Sequence, residues 1–153
     1  MSLRNKIDED YKKSIKNKEQ DKINALRLIR SAIKDKDISL RSSENKEGIG
    51  DPAILTLLIS LIKQRKDSIE QFQKAKRDDL IINEQSEIDV IKQYLPNQKS
   101  EVETEIIIDN LIQTHNLENL KDMGKLMGFI KKNHPGEVDL GLVGKIAKSK
   151  LGN

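Results

Sequence analysis

The stretch QRKDSIEQFQKAKRDDLIINEQSEIDVIKQYLPNQ, Gln64–Gln98, decides the fold. Its apolar residues recur at three- and four-residue spacing: Ile69 and Phe72 first, then Leu80, Ile81, Ile88, Ile91, Tyr94 and Leu95. That is the period of an α-helix rather than the alternation of a strand. Asp78 or Asp79 is placed to cap a new helix. Pro96 is placed to stop it, because proline has no N–H and its ring clashes with the preceding turn.

The same period extends outward in both directions. Upstream, Asp51-Pro52 reads as a cap followed by proline at the first helical position, opening a helix to about Lys74 with Ile54, Leu55, Leu58, Ile59 and Ile62 inward. Residues 41–50, RSSENKEGIG, have no period and read as a loop. Before it, a helix over about Glu19–Ser39 has Ile23, Leu26, Ile29 and Ile33 inward, widened by Ala25, Leu28 and Ala32. A first helix, capped by Ser2, runs to about Lys16 with a stripe of Leu3, Ile7, Tyr11 and Ile15. Downstream, Ser100-Glu101-Val102-Glu103 is a capping box. The helix it opens carries Val102, Ile106, Leu111 and Ile112 inward and ends near His115. Another begins around Asp122 with Met123, Leu126, Met127 and Ile130 inward, and a last one spans about Leu140–Leu151. The expectation is an all-α chain: a bundle of about four helices over residues 1–96 and a small three-helix domain over residues 97–153.

Three stretches resemble the YqeY family, the free-standing relatives of the tail domain of the tRNA-dependent amidotransferase B subunit. The longest is Gln64–Leu80, continuing through Glu84, Glu87 and Val90–Gln98, with Arg-x-Asp-Leu at Arg77–Leu80 and Tyr-Leu-Pro-x-Gln at Tyr94–Gln98. The others are ALRLIRSAIKDKDI, Ala25–Ile38, and DMGKLMGFIKK, Asp122–Lys132. After Pro135-Gly136 the chain departs from the family's usual pattern, and the 41–50 loop is its own. The resemblance implies an all-α fold and a link to the enzyme that amidates Glu-tRNA(Gln) or Asp-tRNA(Asn). It also attaches the family label of carbon–nitrogen ligase with glutamine as amido donor.

Composition weighs against catalysis by the chain alone. Glutamine-dependent amidation needs a nucleophile to release ammonia and a site to activate the acid. There is no cysteine, no phosphate-cradling glycine loop and no Gly-x-Ser-x-Gly. His115 and His134, the only two histidines, sit near expected helix ends, where they favour the dipole. No catalytic residue, metal site or cofactor is expected. Gly124 and Gly128 have the spacing of a close helix contact.

Charge points elsewhere. The net charge is +3, but residues 121–153 hold seven lysines against three acids, a net of +4. Lys125, Lys131 and Lys132, with Lys145, Lys148 and Lys150, form the candidate RNA-binding group, since helical lysines three apart can meet successive phosphates. Arg27, Arg30, Arg65 and Lys66 form a second basic group, best explained by ion pairs with nearby acids. Few aromatics are available to stack bases, so recognition of folded tRNA through its backbone is the expected mode. The expected function is a non-catalytic accessory protein that binds tRNA. Its alternatives are amide-forming ligase activity and an adaptor docking on an amidotransferase or aminoacyl-tRNA synthetase. The charged N-terminus has no signal-type apolar run, which points to the cytoplasm, or to an organellar matrix if a transit peptide has been removed.

Overall fold

The computed structural model describes residues 2–41 and 47–152. Among them the regular structure is all helical, in seven α-helices and one 3-10 turn. They are α1 (Leu3–Lys16), α2 (Gln20–Ser39), α3 (Asp51–Lys74), α4 (Asp78–Lys92), α5 (Glu101–Thr114), α6 (Met123–Asn133) and α7 (Leu140–Leu151), with the 3-10 turn at Leu120–Asp122. No helix is long and apolar enough to cross a membrane among the described residues. Residues 42–46, the middle of the expected 41–50 loop, lie outside the described residues.

The chain forms two compact units, Met1–Leu95 and Pro96–Asn153. In the first, α1 packs on α2, α2 on α4 and α3 on α4. Ile7, Leu26, Ile29, Ile54, Leu58 and Ile91 are fully buried at its centre. In the second, α5, α6 and α7 pack on one another around Ile108, Leu126, Ile130, Val138, Val143 and Ala147.

Capping chemistry sets several helix ends. Ser2 Oγ accepts the Asn5 N–H, and Ser100 and Glu103 close a reciprocal capping box. That box holds the Glu103 carboxyl below the usual range, chiefly through its bond to the Ser100 backbone. Asp139 caps α7 by accepting the Gly141 N–H at 2.9 Å. Three helices stop without glycine: Lys18, Lys76 and Asn116 take the left-handed conformation at φ 57, 55 and 53°. In each case the next amide reaches back five residues, Glu19 to Ser14, Arg77 to Phe72 and Leu117 to Ile112, which satisfies a helix-end carbonyl.

Five expectations are corrected. Asp51 does not cap α3; Gly50 stands at the cap, and Asp51 Oδ1 instead accepts the Leu3 N–H at the start of α1. Neither Asp78 nor Asp79 caps α4, whose cap is Arg77; both lie in its first turn, and Asp79 takes two hydrogen bonds of 3.1 Å from the Arg77 guanidinium. Ile15 is exposed and Ser14 is buried in its place, its hydroxyl donating to the Tyr11 carbonyl. Val102 and Ile106 are also exposed, because α5 turns Thr104 and Ile108 inward. Gly124 and Gly128 face solvent, and a Cβ at either would meet nothing within 4 Å. On a helix turning about 100° per residue, both fall opposite Leu126 and Ile130.

Gly128 occupies an exposed helix interior where its backbone freedom stabilises nothing. Gly128→Ala should stabilise the C-terminal unit by about 0.5–1 kcal/mol. Chemical denaturation reads this directly, and a destabilised variant would show that the face is covered.

Candidate nucleic-acid interface

Charge is segregated within the C-terminal unit. Residues 96–153 carry eight lysines and eight carboxylates, a net of zero. The acids concentrate on α5, at Glu101, Glu103, Glu105 and Asp109, and the lysines on α6 and α7. The unit is neutral as a whole, with four of its eight carboxylates on α5 and six of its eight lysines on α6 and α7.

Of the six lysines singled out above, four stand without an acidic partner among the described residues. Lys131 and Lys132 end α6, and Lys145 and Lys148 lie on the outward side of α7, all exposed. Lys131 and Lys132 occupy the last turn of α6, where cations favour the helix dipole. Lys125 is 71% exposed and lies 4.0 Å from Asp122 Oδ1, a loose pair that water screens.

Lys150 is placed differently. Its ammonium lies 2.8 Å from Asp109 and 3.1 Å from Glu105, both on α5. Those hydrogen bonds, Asp109's first, raise its pKa. Two carboxylates consume its charge, so it closes the unit rather than presenting a cation. The helical period puts Lys150 about 160° around α7 from Lys148, on the side of Val143 and Ala147, while the packing of α5 supplies the carboxylates it meets there.

Two of the four residues of the second basic group are paired. Arg30 Nε donates to Asp8 at 2.9 Å, and its guanidinium lies 4.3 Å from the centre of the Tyr11 ring. Arg65 lies between two carboxylates of α4, 3.5 Å from Glu84 and 3.2 Å from Glu87. The Arg65 Nε and Glu87 Oε2 atoms are buried and too poorly aligned for a hydrogen bond, so the pair is held by charge. Burial pushes the Glu87 carboxyl up, Arg65 pulls it down and Glu84 pushes it up again. Arg27 and Lys66 are exposed without an ion pair among the described residues.

The polar signature residues do structural work. Tyr94 donates to Asp10 at 2.6 Å, and burial together with that bond raises its pKa. Gln98 donates to the Gly136 carbonyl at 2.6 Å, fixing the turn where Gly136 adopts φ 72°. His134 Nδ1 lies 2.8 Å from Glu137, and His115 stacks on Phe129 with ring centres 3.9 Å apart. Among the described residues no three histidine, aspartate or glutamate side chains converge as metal ligands.

Comparison with known proteins adds to this picture. The family described as Yqey-like protein matches residues 4–151. The chain is 37% identical over 123 residues to altered inheritance of mitochondria protein 41, mitochondrial, of Saccharomyces cerevisiae (strain ATCC 204508 / S288c), covering 80% of this chain and 60% of that protein. The protein of the same name from Lachancea thermotolerans is 36% identical over 108 residues, 69% of this chain and 56% of that one. The one from Pyrenophora tritici-repentis is 30% identical over 135 residues, 82% and 70% respectively. This chain thus spans 60% of the length of the first of these relatives.

Proposed function

The chain belongs to the Yqey-like protein family, and from that premise we propose that it is a non-catalytic accessory protein that binds tRNA and serves tRNA-dependent amidation. The observation that carries the reading is the set of exposed lysines on α6 and α7 without an ion pair among the described residues, at Lys131, Lys132, Lys145 and Lys148. Lys125 adds to them; Lys150 does not, being held by Asp109 and Glu105. Each ammonium that settles on a phosphate releases condensed counterions, so affinity falls as salt rises. The acidic α5 repels the same backbone and orients the unit with α6 and α7 toward the RNA. Exposed glycines at 124 and 128 add no side-chain bulk on the same helix as Lys131 and Lys132. No base reading is required, because phosphate contacts position a protein on folded RNA without carrying sequence information. The relatives' names place them in mitochondria; this reading requires only a compartment that holds tRNA.

The test is tRNA binding by fluorescence anisotropy at about 50 and about 200 mM salt. Changing Lys131, Lys132, Lys145 and Lys148 to glutamate should weaken binding at least about tenfold and flatten the salt dependence. Lys150→Gln should leave both nearly unchanged. Equal affinity and slope in the quadruple variant would end the proposal. Turnover of Glu-tRNA(Gln) with glutamine and ATP by the isolated chain would instead establish the ligase reading.

A further inference from the structure

The N-terminal unit carries a groove of about 410 Å³ whose lining is mostly charged. Arg4 and Asp8 of α1 form one wall, and Arg27, Arg30, Ser31 and Lys34 of α2 the other. Its volume is within the range of small-molecule sites, which are usually apolar. A polar groove of that size is suited to an ionic ligand.

The charges in it do not cancel. Arg4 donates twice to Asp37 at 2.8 and 2.9 Å, and Arg30 donates to Asp8 at 2.9 Å. Both carboxylates of the groove are thus engaged. Arg27, Ser31 and Lys34 keep side chains with no partner among the described residues. Four cations face two anions, so the groove carries a net of +2. The three unpartnered residues stand at i, i+4 and i+7 of one helix, within about 60° around its axis. Arg27 and Lys34 are about 10 Å apart along it, with the hydroxyl between them. Two long cationic side chains can therefore fold toward one point above Ser31.

We propose that this groove binds the phosphate group of a small phosphate monoester, held by Arg27 and Lys34 with Ser31 donating between them. A monoester near neutral pH carries about −1.5 to −2 charges and three acceptor oxygens, matching the excess charge and the three donor groups. This site is separate from the lysines of α6 and α7 and stands or falls without them.

Isothermal titration calorimetry of the full chain at low salt tests it, with adenosine 5′-monophosphate, adenosine and a dinucleoside phosphodiester as probes. The monoester should bind saturably at one site and adenosine should not. Arg27→Gln with Lys34→Gln should weaken the monoester at least about tenfold, since charge-assisted bonds are the strong ones. Ser31→Ala should weaken it several-fold without changing any charge. Lys66→Gln and Lys145→Glu should leave it unchanged. Binding should weaken from about pH 7.5 to about pH 5.5, as the phosphate passes its second pKa near 6 and loses a charge. Asp37, whose carboxyl Arg4 holds below the usual range, stays ionised across that interval. An unchanged double variant, equal binding of adenosine, or a phosphodiester bound as tightly as the monoester would each overturn the assignment.

Discussion

Gly48→Ala should destabilise the N-terminal unit by about 2–3 kcal/mol. Gly48 has φ +87°, a conformation that side chains resist. A Cβ there would also stand 2.6 Å from Asp37 Oδ1 and 2.7 Å from Arg4 Nη2. Those atoms are not free to retreat. Asp37 takes both Arg4 bonds and accepts the Ile49 N–H at 2.8 Å, while Arg4 donates to the Ile49 carbonyl at 2.9 Å. One carboxylate and one guanidinium thereby hold the start of α1, the end of α2 and the buried Ile49 together. Urea unfolding at neutral pH measures the loss, and a change below about 0.5 kcal/mol would show that the clamp yields freely.

Acid provides an independent check on the same clamp. The Asp37 carboxyl is held below the usual carboxylate range, first by its hydrogen bond from Arg4. The folded state therefore binds fewer protons than the unfolded state in that interval. The resulting stabilisation is present above the usual carboxylate pKa and is lost as pH falls through the lowered one. Asp37→Asn should remove that part of the acid sensitivity.

Leu126→Ala should unfold most of the C-terminal unit under conditions that spare the N-terminal one. Leu126 is 0% exposed at the centre of the smaller core. Truncation of a buried leucine costs about 2–5 kcal/mol, and a unit of about sixty residues has a total stability of only about 3–9 kcal/mol. No residue of the larger core belongs to that cluster. Amide resonances of α5, α6 and α7 should collapse while those of α1 to α4 persist, and the tRNA binding proposed above should disappear with every lysine still present. A single transition that shifts both units equally would contradict this.

Helix existence and several helix ends were legible in the residues, because the signals are local. Ser2, the Ser100–Glu103 box and the span Leu140–Leu151 depend only on bonds a few residues long. Faces were legible where the apolar stripe is narrow. On α2, Ile23, Leu26, Ile29 and Ile33 are buried as their spacing demands. On α5 the stripe is broad, with Val102, Ile106, Ile107, Ile108, Leu111 and Ile112 wrapping around the helix. Periodicity alone could not choose among these, and the neighbouring helices turned Thr104 and Ile108 inward. The glycines misled for a related reason: small-residue spacing permits close packing but does not supply a partner.

By itself the order of residues determined an all-helical chain, its resemblance to the YqeY family and the absence of a thiol, since each is written in local spacing and side-chain chemistry. Tertiary structure alone decided which charges remain available. Lys150 meets Glu105 and Asp109 from a helix about forty residues away, and Arg4 meets Asp37 across two helices. A salt bridge depends on distance in space, which the linear chain does not encode residue by residue. The cations left over, on α6 and α7 and in the groove of α2, became identifiable only after those partners had been assigned.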